Sequence, residues 1–405
     1  MPDKLTHSTI TQAALMLHGM EFRDNMKLIE DYSSWPDFYF TERRDEVAPY
    51  MFFLEGIQFH YPPDTPYAEL YRYWDYGKNG VFHGRPFVNE NFRHVTEGFA
   101  FYIGKTITHW KNQEWEEGSK YLGCLLHMLE DATFGLHTFE GAHGSDPFVL
   151  DRMIDAPLQP SAIMLRLKCP QDFPDFGYSW RSLGNSPEEM VMKLYAAYSA
   201  YSSDSRKCSF KYIMNTLDDE LEKNPALEKR MYSNAVTICA DVIGTLLQLS
   251  RGEKVKFDAP CSLTELEPYR FPFGGFGAYR FRSFERNRAF DRENKPIDLE
   301  LDCGKFEKGL SFGTHDEGDL RYWLAPGTFR EFRCKAGLHS AFPVTDKLEL
   351  SLVNDGNVID LITLDGSRRS TEICIPKPEK EFGLSFHSSH RCGVVVLGEP
   401  ELSYY

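Results

Sequence analysis

The feature that most constrains the fold of this chain is a change in the spacing of apolar residues near residue 300. Before it, apolar residues recur at helical spacing, as in ALEKRMYSNAVTICADVIGTLLQLS, which follows Asn224-Pro225 and stops at Arg251-Gly252. From about residue 301 the period is two, in runs such as LELSLV and VIDLITL with turns at Asn354-Asp355-Gly356 and Asp365-Gly366. The sequence therefore predicts an α + β multidomain protein, helical first and β-sandwich second.

The length of the chain also favours more than one domain. Its 405 residues exceed the ~250–300 at which a single hydrophobic core stops growing. Ser186-Pro187-Glu188-Glu189 fits a capping box with proline at the first helical position, which predicts a helix start there. We predict an all-α domain over residues 1–255, a connector rich in Gly, Pro, Phe and Arg over 256–300, and a jelly-roll β-sandwich over 301–405.

One stretch of the helical part, LLHMLEDATFGLHTFEGAH, is dense in residues that bind metals. Residues four apart lie on one helix face, so His127 and Asp131 should project side by side. We expect the helix to loosen at Gly135, which would allow His137 to turn back towards them. Imidazole nitrogens with carboxylate oxygens suit zinc. The alternative is an amphipathic helix in which His127 is hydrogen-bonded in the core and Asp131 is solvated.

Further segments place this stretch in a longer pattern. KLTHSTITQAAL, SSWPDFYF and GIQFHYPPD precede it in an order that resembles the zinc-dependent phospholipase C family, which is related to the fungal single-strand nucleases. The family pattern is His…Asp…His…His-x3-Asp-x5-His, and the matching residues are His7, Asp37, His60, His127, Asp131 and His137. The resemblance covers roughly residues 5–155 in its motifs and implies an all-α domain of the phospholipase C/nuclease type.

The resemblance also implies how these residues divide among zinc ions. It assigns Asp37, His60, His127 and Asp131 to one ion, with Asp131 bridging to a second ion that His7 holds. Taken one at a time, His7 could instead be a disordered terminal residue, Asp37 a turn residue, and His60 a surface histidine. The joint pattern in family order favours metal binding by two or three zinc ions.

The chain departs from the family pattern at two places. Processed family members begin with a tryptophan whose amino group completes one zinc site, whereas this chain begins MPDKLTHS. Either Pro2 takes that role after methionine removal, or the third site is weak or absent. The family's last ligand pair, a His and an acid four residues apart, has no direct match. We predict that His143 and Asp151 join His137 there, with Glu140 as an alternative.

The implied chemistry is hydrolysis of a phosphodiester. Bound zinc would neutralise the phosphate oxygens and lower the pKa of water from about 15.7 towards about 7. The resemblance assigns Asp37 a second role, in which it orients or deprotonates the attacking water. The products would be a diacylglycerol-like alcohol and a phosphorylated headgroup.

The charge of the chain bears on its substrate. A formal net charge of −15 opposes binding to nucleic acid, which draws mainly on Lys and Arg. We therefore predict a phospholipase C that cleaves a zwitterionic phospholipid such as phosphatidylcholine at a membrane surface, with no nucleic acid as partner. The alternatives are a single-strand nuclease or nucleotidase of the same fold and a non-catalytic protein that binds glycans or membranes.

The last hundred residues resemble the NPCBM module, a galactose-binding-like fold. The short motifs that carry the resemblance are Gly313-Thr314-His315 and Ala336-Gly337-Leu338. It implies a possible glycan partner, with Trp323 and His315 as possible contacts, although both residue types more often pack within sheets. A tryptophan expected near the final strand is absent, with Gly398-Glu399-Pro400 in its place. The alternative is a lipid-binding sandwich.

Two sequence features bear on localisation. The start of the chain lacks an apolar stretch of signal-peptide length, and no ~20-residue apolar run is present. Nine cysteines cannot all pair within one chain, and they form no CxxC motif. On these features, the chain looks cytosolic in origin. The predicted activities favour instead action outside the producing cell, after export by a leaderless route or after loss of a leader, and the compartment stays open. The sequence leaves the oligomeric state open.

Overall fold

The structure, a computed structural model, divides the chain into two compact units. They comprise Met1–Val255 and Lys256–Tyr405. The described residues are 4–19, 24–42, 51–53, 57–59, 69–70, 89–134, 140–141, 144–145, 177–272, 283–313, 317–343, 347–388 and 393–405. Of these, 4, 35–42, 51–53, 57–59, 89–94, 140–141, 144–145 and 317 are described by their backbone alone. Among the helices described in these ranges, none combines the length and the apolar character that crossing a bilayer requires.

The described part of the first unit is a bundle of six helices. They are α1 (Lys4–Met16), α2 (Met26–Glu42), α3 (Asn89–Lys111), α4 (Trp115–Thr133), α5 (Pro187–Leu217) and α6 (Asn224–Ser250). Two short antiparallel hairpins accompany them, formed by β1 (Met51–Phe53) with β2 (Ile57–Phe59) and β3 (Glu140–Gly141) with β4 (Gly144–Ser145). The predicted all-α character of this part is confirmed.

Local sequence signals set the ends of three of these helices. At the start of α5, the Ser186 hydroxyl accepts a hydrogen bond from the Glu189 amide at 3.2 Å, as the capping box predicts. Helix α6 begins at Asn224 with proline in its first turn. Helix α4 ends at Thr133, and Phe134 is already extended with φ −135° and ψ 126°. The predicted interruption near Gly135 therefore lies just beyond the end of the helix.

Helix α4 runs through the core of the bundle. Its residues from Tyr121 to Thr133 are all buried. Gly123 allows α2 to approach closely, because a Cβ atom there would lie 2.5 Å from Tyr32 Cβ and 2.8 Å from the Ile29 carbonyl oxygen. This close packing brings the backbone of α2 against the face of α4 that carries His127.

The second unit is a sandwich of two antiparallel sheets. One has the strand order β16-β13-β18-β11-β6, with β5 also paired to β18, and the other has the order β12-β17-β14-β15. The strands are β5 (Cys261–Ser262), β6 (Glu285–Arg286), β7 (Ala289–Phe290), β8 (Pro296–Ile297), β9 (Leu299–Leu301), β10 (Gly304–Phe306), β11 (Gly309–Gly313), β12 (Glu317–Trp323), β13 (Phe329–Leu338), β14 (Leu348–Asn354), β15 (Asn357–Leu364), β16 (Ser370–Pro376), β17 (Glu381–Ser388) and β18 (Val394–Tyr404).

The eight long strands β11 to β18 have jelly-roll topology. Numbered from β11, they give the orders 6-3-8-1 and 2-7-4-5, in which consecutive strands mostly alternate between the two sheets. Aromatic rings join the sheets: Phe312 packs on Phe386 with ring centroids 5.0 Å apart, and Phe332 packs on Phe382 at 4.8 Å. The predicted jelly-roll sandwich is confirmed.

The segment expected as a connector, 256–300, differs from that expectation where it is described. Strand β5 pairs with β18, β6 pairs with β11, and β7 with β8 forms a hairpin. Ala289, Phe290 and Leu299 join a buried cluster with Val396. These strands span two or three residues each, which is too short to show a period of two in the sequence.

The described cysteines are all free thiols. Cys124, Cys208, Cys239, Cys261 and Cys334 are buried, while Cys303 and Cys374 are exposed. The part of the chain that the structure describes therefore contains no disulfide.

Candidate metal centre

Two helices bring three potential metal ligands together inside the bundle. His7 lies on α1, and His127 and Asp131 lie one turn apart on α4. One ligand atom from each residue lies within 4.8 Å of the others, and all three side chains are buried. The side-by-side projection of His127 and Asp131 that their spacing predicts is confirmed. Among the described residues, no other group of His, Cys, Asp and Glu side chains meets this geometry.

Each of the two histidines faces the carboxylate of Asp131 through its own Nε2 atom. His127 Nε2 lies 3.2 Å from Asp131 Oδ2, and His7 Nε2 lies 3.5 Å from Asp131 Oδ1. The imidazole rings stack, with centroids 4.1 Å apart and planes inclined by 16°. Each oxygen of Asp131 is therefore directed at a different histidine.

The opposite nitrogen of each ring is engaged by a hydrogen-bond acceptor. His127 Nδ1 lies 2.5 Å from the carbonyl oxygen of Ser33 on α2. His7 Nδ1 lies 2.6 Å from Glu130 Oε2, next to Asp131 on α4. When Nδ1 donates its proton to such acceptors, the lone pair of a neutral imidazole lies on Nε2. Both rings are therefore oriented as metal-binding histidines usually are.

Burial makes the charge of this centre significant. Glu130 and Asp131 are adjacent acidic residues with exposed fractions of 0% and 2%. Burying ionised carboxylates is costly unless positive charge lies nearby. Protonated histidines or a bound cation would supply that charge.

Effects on two neighbouring residues show how far these charges reach. The pKa of the Cys239 thiol on α6 is raised, first by burial and then by the charge of Glu130. The pKa of the Tyr198 hydroxyl on α5 is likewise raised, first by burial and then by the charge of Asp131. Cys239 on α6 and Tyr198 on α5 therefore lie near enough to the centre to sense its acidic residues.

The donor set fits a zinc ion. Zinc binds imidazole nitrogen and carboxylate oxygen at about 2.0–2.2 Å, so two ligand atoms of a tetrahedral site lie roughly 3.3 Å apart. The 3.2 Å and 3.5 Å separations around Asp131 match that spacing. Zinc centres commonly carry hydrogen bonds of this kind on the far nitrogens of their histidines.

The structure describes only part of the predicted ligand set. Asp37 belongs to α2, but only its backbone, and not its side chain, is among the described residues. His60, which follows β2, is also outside them. The same holds for His137, His143, Asp151 and the alternative Glu140 side chain. Their roles stay predictions from the family resemblance.

Three further residues contribute to the centre and were not predicted. They are Glu130, the backbone carbonyl of Ser33, and Thr11, whose hydroxyl donates to Glu130 Oε1 at 2.6 Å. Thr11 follows His7 by four residues on α1, so their shared helix face was a usable sequence signal. The contact of Ser33 with His127 depends on helix packing, and local sequence carries no signal for it.

One of the two suggested sugar contacts in the sandwich is described. Trp323 is half-buried at the end of β12, and its ring lies 5.6 Å from the ring of Tyr269. The Lys380 ammonium lies 4.7 Å from the Trp323 ring centroid. The Trp323 ring thus already has contacts within the second unit. His315 is outside the described residues.

Comparisons with known proteins give similarity at the level of structure. No protein-family model matches the chain, and no curated protein matches its sequence. The Alpha Toxin from Clostridium absonum is 10% identical, with a TM-score of 0.31 over 98% of this chain and 93% of that chain. Tandem CBM51 modules of a family 98 glycoside hydrolase from Streptococcus pneumoniae are 18% identical, with a TM-score of 0.31 over 37% of this chain and 48% of theirs.

A further similar structure is a single carbohydrate-binding module. The CBM51 from Clostridium perfringens GH95, solved in complex with methyl-galactose, is 15% identical, with a TM-score of 0.28 over 35% of this chain and 99% of that chain. The alignment to the tandem modules spans less than half of that protein's length. At low identity, the chain is thus similar to a toxin over nearly its whole length and to carbohydrate-binding modules over about a third of it.

Proposed function

We propose that this protein is a zinc-dependent phosphodiester hydrolase, a phospholipase C that cleaves a zwitterionic phospholipid such as phosphatidylcholine. The observation that supports this most directly is the buried trio of His7, His127 and Asp131. Both histidine Nε2 atoms face one carboxylate there, at 3.2 Å and 3.5 Å. The sequence pattern shared with the phospholipase C family adds the reaction type.

Asp131 has the central position in the proposed site. Its two oxygens are directed at different histidines, which suits a carboxylate that bridges two ions, one beside His7 and one beside His127. When bound, zinc supplies a Lewis acid that polarises the phosphoryl oxygens and lowers the pKa of water to about 7. Asp37, from α2, is proposed to orient the attacking water and to accept its proton.

The rest of the proposed ligand set completes the two- or three-ion cluster. His60 joins Asp37, His127 and Asp131 at one ion, and His137, His143 and Asp151 form the last site. The net charge of −15 favours a zwitterionic lipid over nucleic acid, because polyanion binding relies on basic side chains. We expect action at a membrane surface outside the producing cell.

The first test is the number of zinc ions per chain in protein purified without chelator, measured by elemental mass spectrometry. Two or three ions are expected, together with release of phosphocholine from phosphatidylcholine vesicles. Single-stranded DNA and a small phosphodiester serve as competing substrates. Faster cleavage of DNA would favour the nuclease alternative. Absence of zinc after incubation with zinc salts would contradict the proposal and favour a non-catalytic binding protein.

We also propose that the jelly-roll unit binds a glycan. Support comes from its NPCBM-like sequence motifs and from the position of Trp323 at the end of β12. Titration calorimetry of the full chain with galactose should give heat that Trp323→Ala abolishes. Binding to vesicles without any response to sugars would favour the lipid-binding alternative.

A further inference from the structure

Glu130 is a fully buried carboxylate beside the proposed metal ligands, and the hydrolytic roles assigned above leave it without a function. Its exposed fraction is 0%. Glu130 Oε2 lies 2.6 Å from His7 Nδ1, and Glu130 Oε1 accepts the hydroxyl proton of Thr11 at 2.6 Å. Each oxygen therefore has its own donor on the same face of α1, and these two contacts hold the carboxylate in a fixed orientation.

The contact with Glu130 determines where the proton of His7 lies. An ionised carboxylate only accepts hydrogen bonds, so His7 Nδ1 must be the donor. The lone pair of the neutral ring then lies on Nε2, the atom 3.5 Å from Asp131 Oδ1. A free neutral histidine could place its proton on either nitrogen, and protonation of Nε2 would block metal binding by that atom.

The two histidines differ in the group that contacts the Nδ1 atom of the ring. His127 Nδ1 faces the neutral carbonyl of Ser33, whereas His7 Nδ1 faces the carboxylate of Glu130. A carboxylate behind an imidazole raises its basicity as a ligand and fixes its ring orientation. The negative charge of Glu130 also attracts a divalent cation in a site from which water is excluded.

We propose that Glu130, held by Thr11, is the positioning residue for His7, and that it makes the His7 side of the centre competent to bind a divalent ion. The inference rests on the proposed function, because it assumes that His7 and Asp131 bind zinc. Glu130 acts through His7 and is not itself assigned as a ligand. Among the described residues, His127 Nδ1 faces a neutral carbonyl and His7 Nδ1 faces a carboxylate, so the two rings differ in their Nδ1 partners.

The test compares zinc dissociation constants, from chelator competition, for wild type, Glu130→Gln, Glu130→Leu and Thr11→Val. Glutamine can still accept from His7 when its amide group donates to Thr11, so this variant removes the charge and keeps the tautomer. Leucine removes both. Affinity is expected to fall about 10-fold in Glu130→Gln and nearer 100-fold in Glu130→Leu, the range typical of residues behind metal ligands. The fall in Thr11→Val should stay below about 10-fold.

A matched control and a second readout separate positioning from general damage to the fold. Glu189 is another buried glutamate, on α5. Its Oε2 atom accepts a hydrogen bond from the backbone N–H of Asn185 at 2.8 Å, and its Oε1 atom pairs with Lys193. Glu189→Gln should leave the zinc affinity unchanged. Nitrogen-15 NMR of the zinc-free protein should show His7 protonated on Nδ1 in wild type and Glu130→Gln. The Nε2-protonated form should appear in Glu130→Leu.

The outcomes discriminate between this inference and the proposed function. If wild type binds zinc and Glu130→Gln binds it equally well with the same His7 tautomer, the role of Glu130 is overturned while the metal centre stands. If wild type binds no zinc, the proposed function fails and this inference fails with it. If Glu130→Leu does not fold, the Glu130→Gln affinity alone decides.

Discussion

Two buried aspartates in the helical bundle have contrasting surroundings. Asp131 on α4 and Asp241 on α6 are 2% and 3% exposed, and their helices pack against each other. Asp241 Oδ1 accepts hydrogen bonds from the Tyr178 hydroxyl at 2.9 Å and from the Arg181 amide at 3.2 Å. Asp131 instead faces the Nε2 atoms of two imidazoles.

The contrast shows that two equally buried acids can have chemically different surroundings. Burial raises the pKa of Asp241 to about 6, although the Arg181 amide and the Tyr178 hydroxyl partly oppose the shift. Asp241 therefore fits a structural role, in which it ties the segment before α5 to α6. The nitrogens around Asp131 are atoms that bind either a proton or a metal ion, which is the property expected of a ligand centre. The surroundings of a buried acid are thus more informative than its exposure.

The largest expected difference between the two acids is in zinc binding. Asp131→Asn removes the negative charge that both histidines face, so under the proposed function zinc affinity should fall more than about 100-fold and lipid cleavage should be lost. Asp241→Asn is the matched control and should retain both. Zinc content by elemental mass spectrometry and phosphocholine release measure the two effects. Equal zinc content in the two variants would remove the distinction drawn between these acids.

His127→Ala provides a second test of the same site. It should also abolish zinc binding and cleavage, because it removes an imidazole that faces Asp131. The second unit should stay folded, which near-ultraviolet circular dichroism can check. Full activity of His127→Ala on a small phosphodiester would show that the site has been assigned to the wrong residues.

A packing variant should affect the Asp131 side of the bundle. Gly123→Ala places a methyl group 2.5 Å from Tyr32 Cβ and 2.8 Å from the Ile29 carbonyl oxygen. Overpacking of this kind costs about 1–3 kcal/mol in the free energy of unfolding. Zinc affinity should fall as well, because displacing α2 moves the Ser33 carbonyl away from His127.

Gly104 on α3 provides the control for this packing variant. A Cβ atom there would meet nothing within 4 Å, so Gly104→Ala should be neutral or should stabilise the helix by up to about 1 kcal/mol. Thermal unfolding followed at 222 nm gives both values. Equal destabilisation by the two substitutions would contradict the close approach of α2 and α4.

Asp241 should make the free energy of unfolding depend on pH. Its folded-state pKa of about 6 lies above the ordinary value of 3.8, so the folded protein retains the proton longer than the unfolded chain. The contribution of this group to stability is therefore present below about pH 4 and is lost as pH rises to about 6. The loss should amount to about 1–3 kcal/mol.

Asp241→Asn should remove this pH dependence. Urea unfolding at pH 4, 5, 6 and 7 measures the free energy of unfolding of wild type and variant. Their difference should change across this window in favour of the variant as pH rises. Curves that stay parallel would show that the carboxyl of Asp241 titrates at its ordinary pKa.

The smallest expected effect comes from the partner of Asp241. Tyr178→Phe removes a hydroxyl that donates to Asp241 Oδ1 at 2.9 Å, at a cost of about 1–2 kcal/mol. That hydrogen bond lowers the pKa of Asp241, so its removal should raise this pKa further. The fall in stability with rising pH should then extend to a higher pH than in wild type. Zinc content should be unchanged, since the contact belongs to the structural acid. A loss of zinc in Tyr178→Phe would show that the surroundings of Asp241 also affect metal binding at Asp131.

The sequence predicts local relations well and distant ones poorly. His127 and Asp131 follow from helical spacing, and the turn at Asp355-Gly356 marks the hairpin between two sandwich strands. No local pattern brings His7 to this place, and only the family resemblance suggested it. Glu130 could not be predicted, because its contact with His7 joins residues 123 positions apart and the family pattern assigns a role only to its neighbour Asp131. The short strands near residue 300 could not be predicted because segments of two or three residues cannot display a period of two.

The pairing of His7 with Glu130 also has a consequence for the order of folding. The two residues are 123 positions apart, and the His7 ring stacks on that of His127. Contacts of such long sequence separation form late, because loop closure costs entropy before the contact contributes any stability. During synthesis α1 emerges first and can pack on α2, but Glu130 on α4, the partner of His7, follows 123 positions later. Under the proposed function, zinc uptake by refolding protein should therefore lag behind the circular dichroism signal of the helices at 222 nm. The time course of uptake would report when α1 docks against α4.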